Sequence, residues 1–247
     1  MEHSRQWSIR MTHECAMHEA NSFLTLTYND ENLPPNSTLV LADFQKFMKR
    51  LRKRTGENIR FYHCGEYGSN TGRPHVHVIL FGYDFPDKYE FMRRGNHPTY
   101  RSDLLESLWP FGFSEIGTVT WDSIAYCAGY VTKKQTDDTR ANKQTGELRI
   151  PEYATMSRRP AIGRKWFEKW WHDVYPSDTI VIQGKAMRPP TYYDVLLQSW
   201  APDMWELVRD TRRAKTDREN QTPERMAIRK AVAQARYGLT DTRHESL

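Results

Sequence analysis

The spacing of apolar residues predicts most of the elements. In residues 39–54, Leu41, Phe44, Phe47, Met48 and Leu51 recur three and four apart, which makes one face of an amphipathic helix. SFLTLTY alternates and predicts a first strand. Two denser apolar runs, about 58–66 and 75–82, flank YGSNTGRP, whose Gly, Ser and Asn are turn residues. They predict a hairpin. In its second strand His75, His77, Ile79 and Phe81 share one face, and Val76, Val78 and Leu80 share the other. Neither face is polar throughout, which fits a central strand covered on both sides.

Residues 2–20 read as a helix. SDLLESLW reads as a short helix capped by Ser102, and GFSEIGTVT as a further strand. Residues 83–100, with Pro86 and Pro98, read as irregular. Residues 121–135 read as a helix, with Asp122 or Ser123 as its N-cap. The order β-α-β-β-α-β-α predicts an α+β fold, an antiparallel sheet with helices on one face. QTDDTRANKQTGELRI reads as a polar loop. A helix RKWFEKWWHDVY and a hairpin in TIVIQGKAMRPPTYY follow, then charged helices interrupted at Pro223. The tryptophans of RKWFEKWWHDVY suit a core better than a base-stacking platform. Residues 1–200 are expected to form the main domain. Residues 201–247 are expected to form a helical extension, either a partner- or DNA-binding arm or a solvated tail.

Chemistry concentrates at His75-Val76-His77. Same-face residues two apart on a strand lie ~7 Å apart along it, close enough for two imidazoles to share one divalent ion. An ordinary pair of hydrogen-bonded histidines is the competing reading. If Glu66 opposes His75, then Cys64 opposes His77, and a carboxylate joins the two imidazoles on one face. A register slip of one residue would turn Glu66 away. Two His and one carboxylate with positions left open suit a catalytic site, for which Mg²⁺ or Mn²⁺ is the expected ion. On the later helix Tyr126 and Tyr130 are one turn apart on one face, with Lys133 beyond them. Either they attack a polarised phosphate or they pack the helix onto the sheet.

The chain has a net charge of +5 over 247 residues. That balance suits a polyanion without requiring one. Residues 43–54 hold six cations, Lys46, Lys49, Arg50, Arg52, Lys53 and Arg54, against Asp43 alone. They are either a DNA-backbone contact or the solvated face of their helix. Cys15, Cys64 and Cys127 are scattered, which indicates neither a disulfide framework nor a zinc ribbon and fits a reducing compartment. No signal peptide, membrane-length apolar run or G-x-x-x-x-G-K-[ST] loop is found in the sequence, so any unwinding motor is expected in a partner.

The strings NSFLTLTYNDENLP, KFMKRLRK, GRPHVHVILFG, AYCAGYVTKK and SRRPAIG span residues 21–163. In this order, with E…HVH before YxxxY, they resemble the HUH rolling-circle replication initiators, and among these the initiators of gokushovirus-type microviruses. The resemblance implies an RRM- or ferredoxin-like core that nicks and rejoins single-stranded phage origin DNA through a 5′-phosphotyrosine. It implies His75, His77 and Glu66 as ligands of Mg²⁺ or Mn²⁺, Tyr126 and Tyr130 as nucleophiles, and Lys133 as their helper. Lys46, Lys49, Arg50, Lys53 and Lys134 are the expected DNA contacts. A host helicase and DNA polymerase are the implied partners, in the bacterial cytoplasm. Gly129 stands where related initiators often carry a lysine, so Tyr130, with Lys133 one turn on, is expected to cleave first. Relatives of this type carry a short cysteine-bearing segment before RQW, so MEHSRQW is expected to be a shortened form or to reflect a later start codon. The competing readings are an HUH transposase or plasmid relaxase, and a non-catalytic RRM-like RNA-binding domain, which expects exposed strand aromatics and no paired His.

Overall fold

The computed structural model describes residues 2–68, 71–133, 145–216 and 221–244. The chain divides into two compact units, 1–196 and 197–247. The first unit carries α1 (Glu2–Cys15), β1 (Asn21–Thr27), α2 (Leu41–Thr55), β2 (Arg60–Tyr67), β3 (Pro74–Phe81), β4 (Tyr89–Arg94), β5 (His97–Arg101), α3 (Asp103–Leu108), β6 (Ser114–Gly117), α4 (Trp121–Lys133), β7 (Tyr153–Met156), α5 (Arg164–Val174), β8 (Ile180–Ile182) and β9 (Lys185–Met187). α6 (Thr191–Trp200) begins in it and runs into the second unit, which holds α7 (Pro202–Ala214) and α8 (Pro223–His244).

The main sheet is antiparallel throughout, in the order β4-β5-β6-β1-β3-β2-β7, so β3 is an inner strand. Helices lie on both faces, not on one. Val76, Val78 and Leu80 join Phe44, Phe47, Met48 and Leu51 of α2 and Leu105 and Leu108 of α3 in one core. Ile79 and Phe81 join Met11 of α1 and Ile124, Cys127 and Ala128 of α4 in another. A strand apolar on both faces needs two layers above and below it, and this one has them.

Local signals explain the helix ends. α2 stops at Gly56, whose φ of 72° lets its N–H return to Arg52 O. Ser102 caps α3 by accepting from Leu105 N, as its sequence indicates. For α4 the cap is Thr120, not Asp122 or Ser123. Ser123 N donates to Thr120 Oγ1 at 3.2 Å while Thr120 N donates to Ser123 Oγ at 2.8 Å, a reciprocal box one residue earlier.

Two stretches depart from expectation. Residues 89–101 form a hairpin rather than irregular chain. Pro98 faces only Arg93 of β4, and pairing with β6 begins at Thr99, so the missing N–H breaks no ladder bond there. Gly95-Asn96 makes the turn, with Gly95 at φ 58°. β7 pairs along β2 and was not legible as a strand.

Candidate active site

The register of the β2–β3 hairpin places Glu66 opposite His75 and Cys64 opposite His77, as the sequence reading required. Side-chain contacts then run diagonally. Glu66 Oε1 lies 2.7 Å from His77 Nε2 rather than closing on His75. His77 Nδ1 sits 3.1 Å from Thr25 Oγ1 on the facing strand β1. With Nε2–H donating to Glu66, the ring accepts from Thr25, and both ring nitrogens are used. Phe23 stacks parallel to the imidazole, with centroids 5.5 Å apart. Glu66 and His77 are buried, at 5% and 7% exposure.

His75 is half-buried, and its Nδ1 lies 2.7 Å from Arg73 O. A backbone carbonyl on Nδ1 fixes a tautomer whose Nε2 carries a lone pair, the usual orientation of a metal-binding imidazole. Gly68 makes this packing feasible, because a Cβ there would come within 2.9 Å of His75 Cε1. Arg73 holds the hairpin loop through Asp30 Oδ1 at 2.7 Å and Tyr28 O at 2.9 Å.

α4 brings in Tyr126. Its hydroxyl donates to Glu66 Oε1 at 2.9 Å, and its ring stands edge-on to His77 at 5.1 Å. At 40% exposure it is reachable from solvent, unlike the pair it touches. Cys127, next in the helix, is buried against Cys64 of β2. A hydrogen bond to Cys127, reinforced by burial, pushes the Cys64 thiol well above its usual range, so both thiols pack as neutral groups.

The side chains of Tyr130 and Lys133, and all of Lys134, lie outside the described residues. Lys46, Lys49, Arg50 and Lys53 ride on α2, across the sheet from His77. Arg50 is committed to Leu108 O through two bonds of 3.0 and 2.7 Å, and Arg52 to Ile59 O. Sequence reasoning gave no role to Thr25 or Phe23. Their alternation on β1 was the available signal, since it turns Phe23, Thr25 and Thr27 to the His77 face.

The donor set of two imidazoles and one carboxylate has the chemistry for a divalent ion. Yet among the described residues no group of three His, Cys, Asp or Glu side chains stands in metal-holding geometry. Glu66 and His77 are closed on each other. The particle now between Nε2 and Oε1 is a proton, and a cation could take its place.

An antiparallel sheet presenting a buried carboxylate–imidazole pair to a solvent-reachable tyrosine defines a candidate nucleophilic centre. Residues 21–135 match the model of a family of replication-associated proteins, those of the ORF2 type. The chain is 35% identical over 212 residues to replication-associated protein VP4 of Bdellovibrio phage phiMH2K, covering 82% of this chain and 65% of that one. It is 32% identical to replication-associated protein ORF4 of Chlamydia phage 1, covering 79% and 50%. It is 31% identical to replication-associated protein ORF2 of Spiroplasma virus 4, covering 78% and 63%. The chain thus spans between half and two thirds of these relatives' lengths. No solved structure matches. The segment bearing the site belongs to this family of replication-associated proteins, and the relatives are of the microvirus type.

Proposed function

We propose that this protein initiates rolling-circle replication by nicking and rejoining single-stranded phage origin DNA with a tyrosine nucleophile. One observation carries the reading, the hydrogen bond from the accessible Tyr126 hydroxyl to the buried Glu66–His77 pair. A phenol is a poor nucleophile near neutrality because its proton is held tightly. Here Glu66 Oε1 already accepts that proton, so attack and deprotonation are aligned. Tyr126 Oη bonds to phosphorus as the P–O3′ bond breaks. The phenolic proton moves toward Glu66, and the leaving 3′-oxygen takes a proton from water. The products are a 5′-phosphotyrosine and a free 3′-hydroxyl. The phosphodiester energy stays in the adduct, so resealing needs no nucleotide triphosphate.

His75, His77 and Glu66 are the residues proposed to hold Mg²⁺ or Mn²⁺, which when bound would polarise a non-bridging phosphate oxygen. Tyr130, with Lys133, is proposed as the second nucleophile that cuts the regenerated origin while the first is occupied. A host polymerase would extend the 3′-hydroxyl and a host helicase would unwind, in the host cytoplasm. Among the described residues no helix is long and apolar enough to cross a membrane.

The test is incubation with single-stranded circular DNA, with and without EDTA. The expected product is linear DNA with protein on its 5′ end, formed only with the divalent ion. Unchanged nicking by His77→Ala at saturating Mn²⁺ removes that histidine from the site. Absence of any protein–DNA adduct under all metal conditions overturns the reading.

A further inference from the structure

The sheet is wider than the helical layer that covers its His77 face. α4 packs over β2, β3 and β7, and α1 packs beside α4. Past β1 the same face continues over β6, β5 and β4. The register defines rows across it. Glu66 faces His75, His75 faces Thr27, and Thr27 N bonds Phe113 O just before β6. In the next row His77 faces Thr25, and Thr25 faces Glu115. Side chains in one row share a face. Phe113 therefore stands two strands from His75, ~10 Å away at ~4.8 Å per strand.

This outer half-face is built from rings held in solvent. Phe113 is 65% exposed, while its neighbours Ser114 and Ile116, turned to the other face, are buried. On β4, Phe91 is 50% exposed and Tyr89 49%. The Arg101 guanidinium lies 5.1 Å from the Phe91 ring and is itself tied to Glu106. Three large exposed rings on one sheet lose apolar burial unless something stacks on them. Glu115 is exposed in their midst. A carboxylate there repels phosphates and accepts from the exocyclic amines of bases.

We propose that β6 and the β4–β5 hairpin form a platform on which single-stranded DNA lies with its bases against Phe113, Phe91 and Tyr89 and its phosphates outward. This rests on the proposed nicking function and adds how the strand is held. Continuity decides the occupant: the rows that carry His75 and His77 run unbroken onto the platform. A strand whose phosphate lies at Tyr126 would set a neighbouring base over Phe113. Stacking is tolerant of sequence, because every base has a π-face.

The experiment measures binding of the full chain to short single-stranded DNA in EDTA, so that no cleavage is involved. Phe113→Ala and Phe91→Ala are each expected to weaken binding about tenfold, and together more, with an unchanged salt slope, because no phosphate contact is lost. Phe113→Trp is expected to retain affinity. Photocrosslinking of 5-iododeoxyuridine DNA is expected to map to Phe113, Phe91 or Tyr89. These side chains are exposed, and circular dichroism checks that the variants fold. Undiminished DNA affinity in the double variant overturns the platform. So does loss of self-association, or of binding to RNA alone, with DNA affinity intact. Because nicking is scored separately, a working platform in a protein that never nicks sinks only the proposed reaction. Normal nicking with unchanged binding sinks only the platform.

Discussion

The hydroxyl of Tyr126 donates to Glu66 Oε1, the same oxygen that lies 2.7 Å from His77 Nε2. One carboxylate oxygen therefore links the attacking atom to the imidazole. The sequence favoured Tyr130 for first cleavage because of Lys133. The hydrogen bond instead gives Tyr126 an acceptor for its proton. Tyr126→Phe keeps the edge-on ring contact with His77 and removes only the hydroxyl. It is expected to cut initial nicking by at least ~100-fold, the scale of losing an aligned proton transfer. Stability should fall by only about 1 kcal/mol, one hydrogen bond. Peptide mapping of the trapped phosphotyrosine reads the outcome. An adduct found mainly on Tyr130 returns the lead to the lysine argument.

Metal binding should compete with a proton. The His77–Glu66 contact is closed now, and a divalent ion held by both must displace the proton between them. Mn²⁺ affinity, followed by calorimetry or by the loss of free-ion EPR signal, is expected to rise from pH 6 to pH 8. Glu66→Ala should weaken binding less than His77→Ala, since water can replace one oxygen ligand. Affinity flat with pH would remove the ion from this pair.

Much of this site was legible because its parts obey short-range rules. A turn-rich linker fixes the β2–β3 hairpin, and the two-residue period of a strand then puts Glu66, His75 and His77 on one face. The diagonal choice of Glu66 for His77 was not legible, because it depends on Thr25 and Phe23 arriving from a strand 52 residues away in sequence. The β4–β5 hairpin hid behind Pro86 and Pro98, although its Gly95-Asn96 pair was a turn signal in plain view. β7 is a four-residue edge strand whose identity comes from the partner it pairs with, not from its own pattern. Helices on both faces were implicit in β3, whose two faces are both apolar.

Acid should weaken the fold through His13. It is buried in the layer outside the sheet, stacked on Trp166 at 3.4 Å, with Nδ1 2.9 Å from the Tyr193 hydroxyl. Burial pulls its imidazole down from 6.5 to about 3. The unfolded chain therefore binds a proton that the folded chain refuses. The stability is complete above pH ~6.5 and falls as pH drops toward 3, with a slope near 1.4 kcal/mol per unit inside that window. His13→Phe keeps a ring on Trp166 and removes the titration. It also leaves the Tyr193 hydroxyl without its partner, so the slope of unfolding free energy between pH 6.5 and 4.5 is the readout, not its absolute value. A variant slope equal to the parent's would show that His13 protonates in the folded state.

The cations of α2 make the sharpest contrast with the platform. In sequence they form the densest basic run, and they invite a role in gripping the backbone. In the fold they sit on the face away from His77, and Arg50 and Arg52 are spent on the carbonyls of Leu108 and Ile59. Lys49 and Lys53 remain as exposed charges. Each single-strand phosphate contact contributes ~0.7 to the salt slope of binding, so losing two would flatten it by about 1.4. For an oligonucleotide of about eight nucleotides, long enough for the site and the platform, Lys49→Gln with Lys53→Gln is expected to leave the slope unchanged. The sheet stands between the helix and the strand. A loss near 1.4 with this short DNA would mean that the strand reaches α2 after all. If the loss appears only with longer DNA, the strand leaves the platform at the β4 edge and continues around to the helical face.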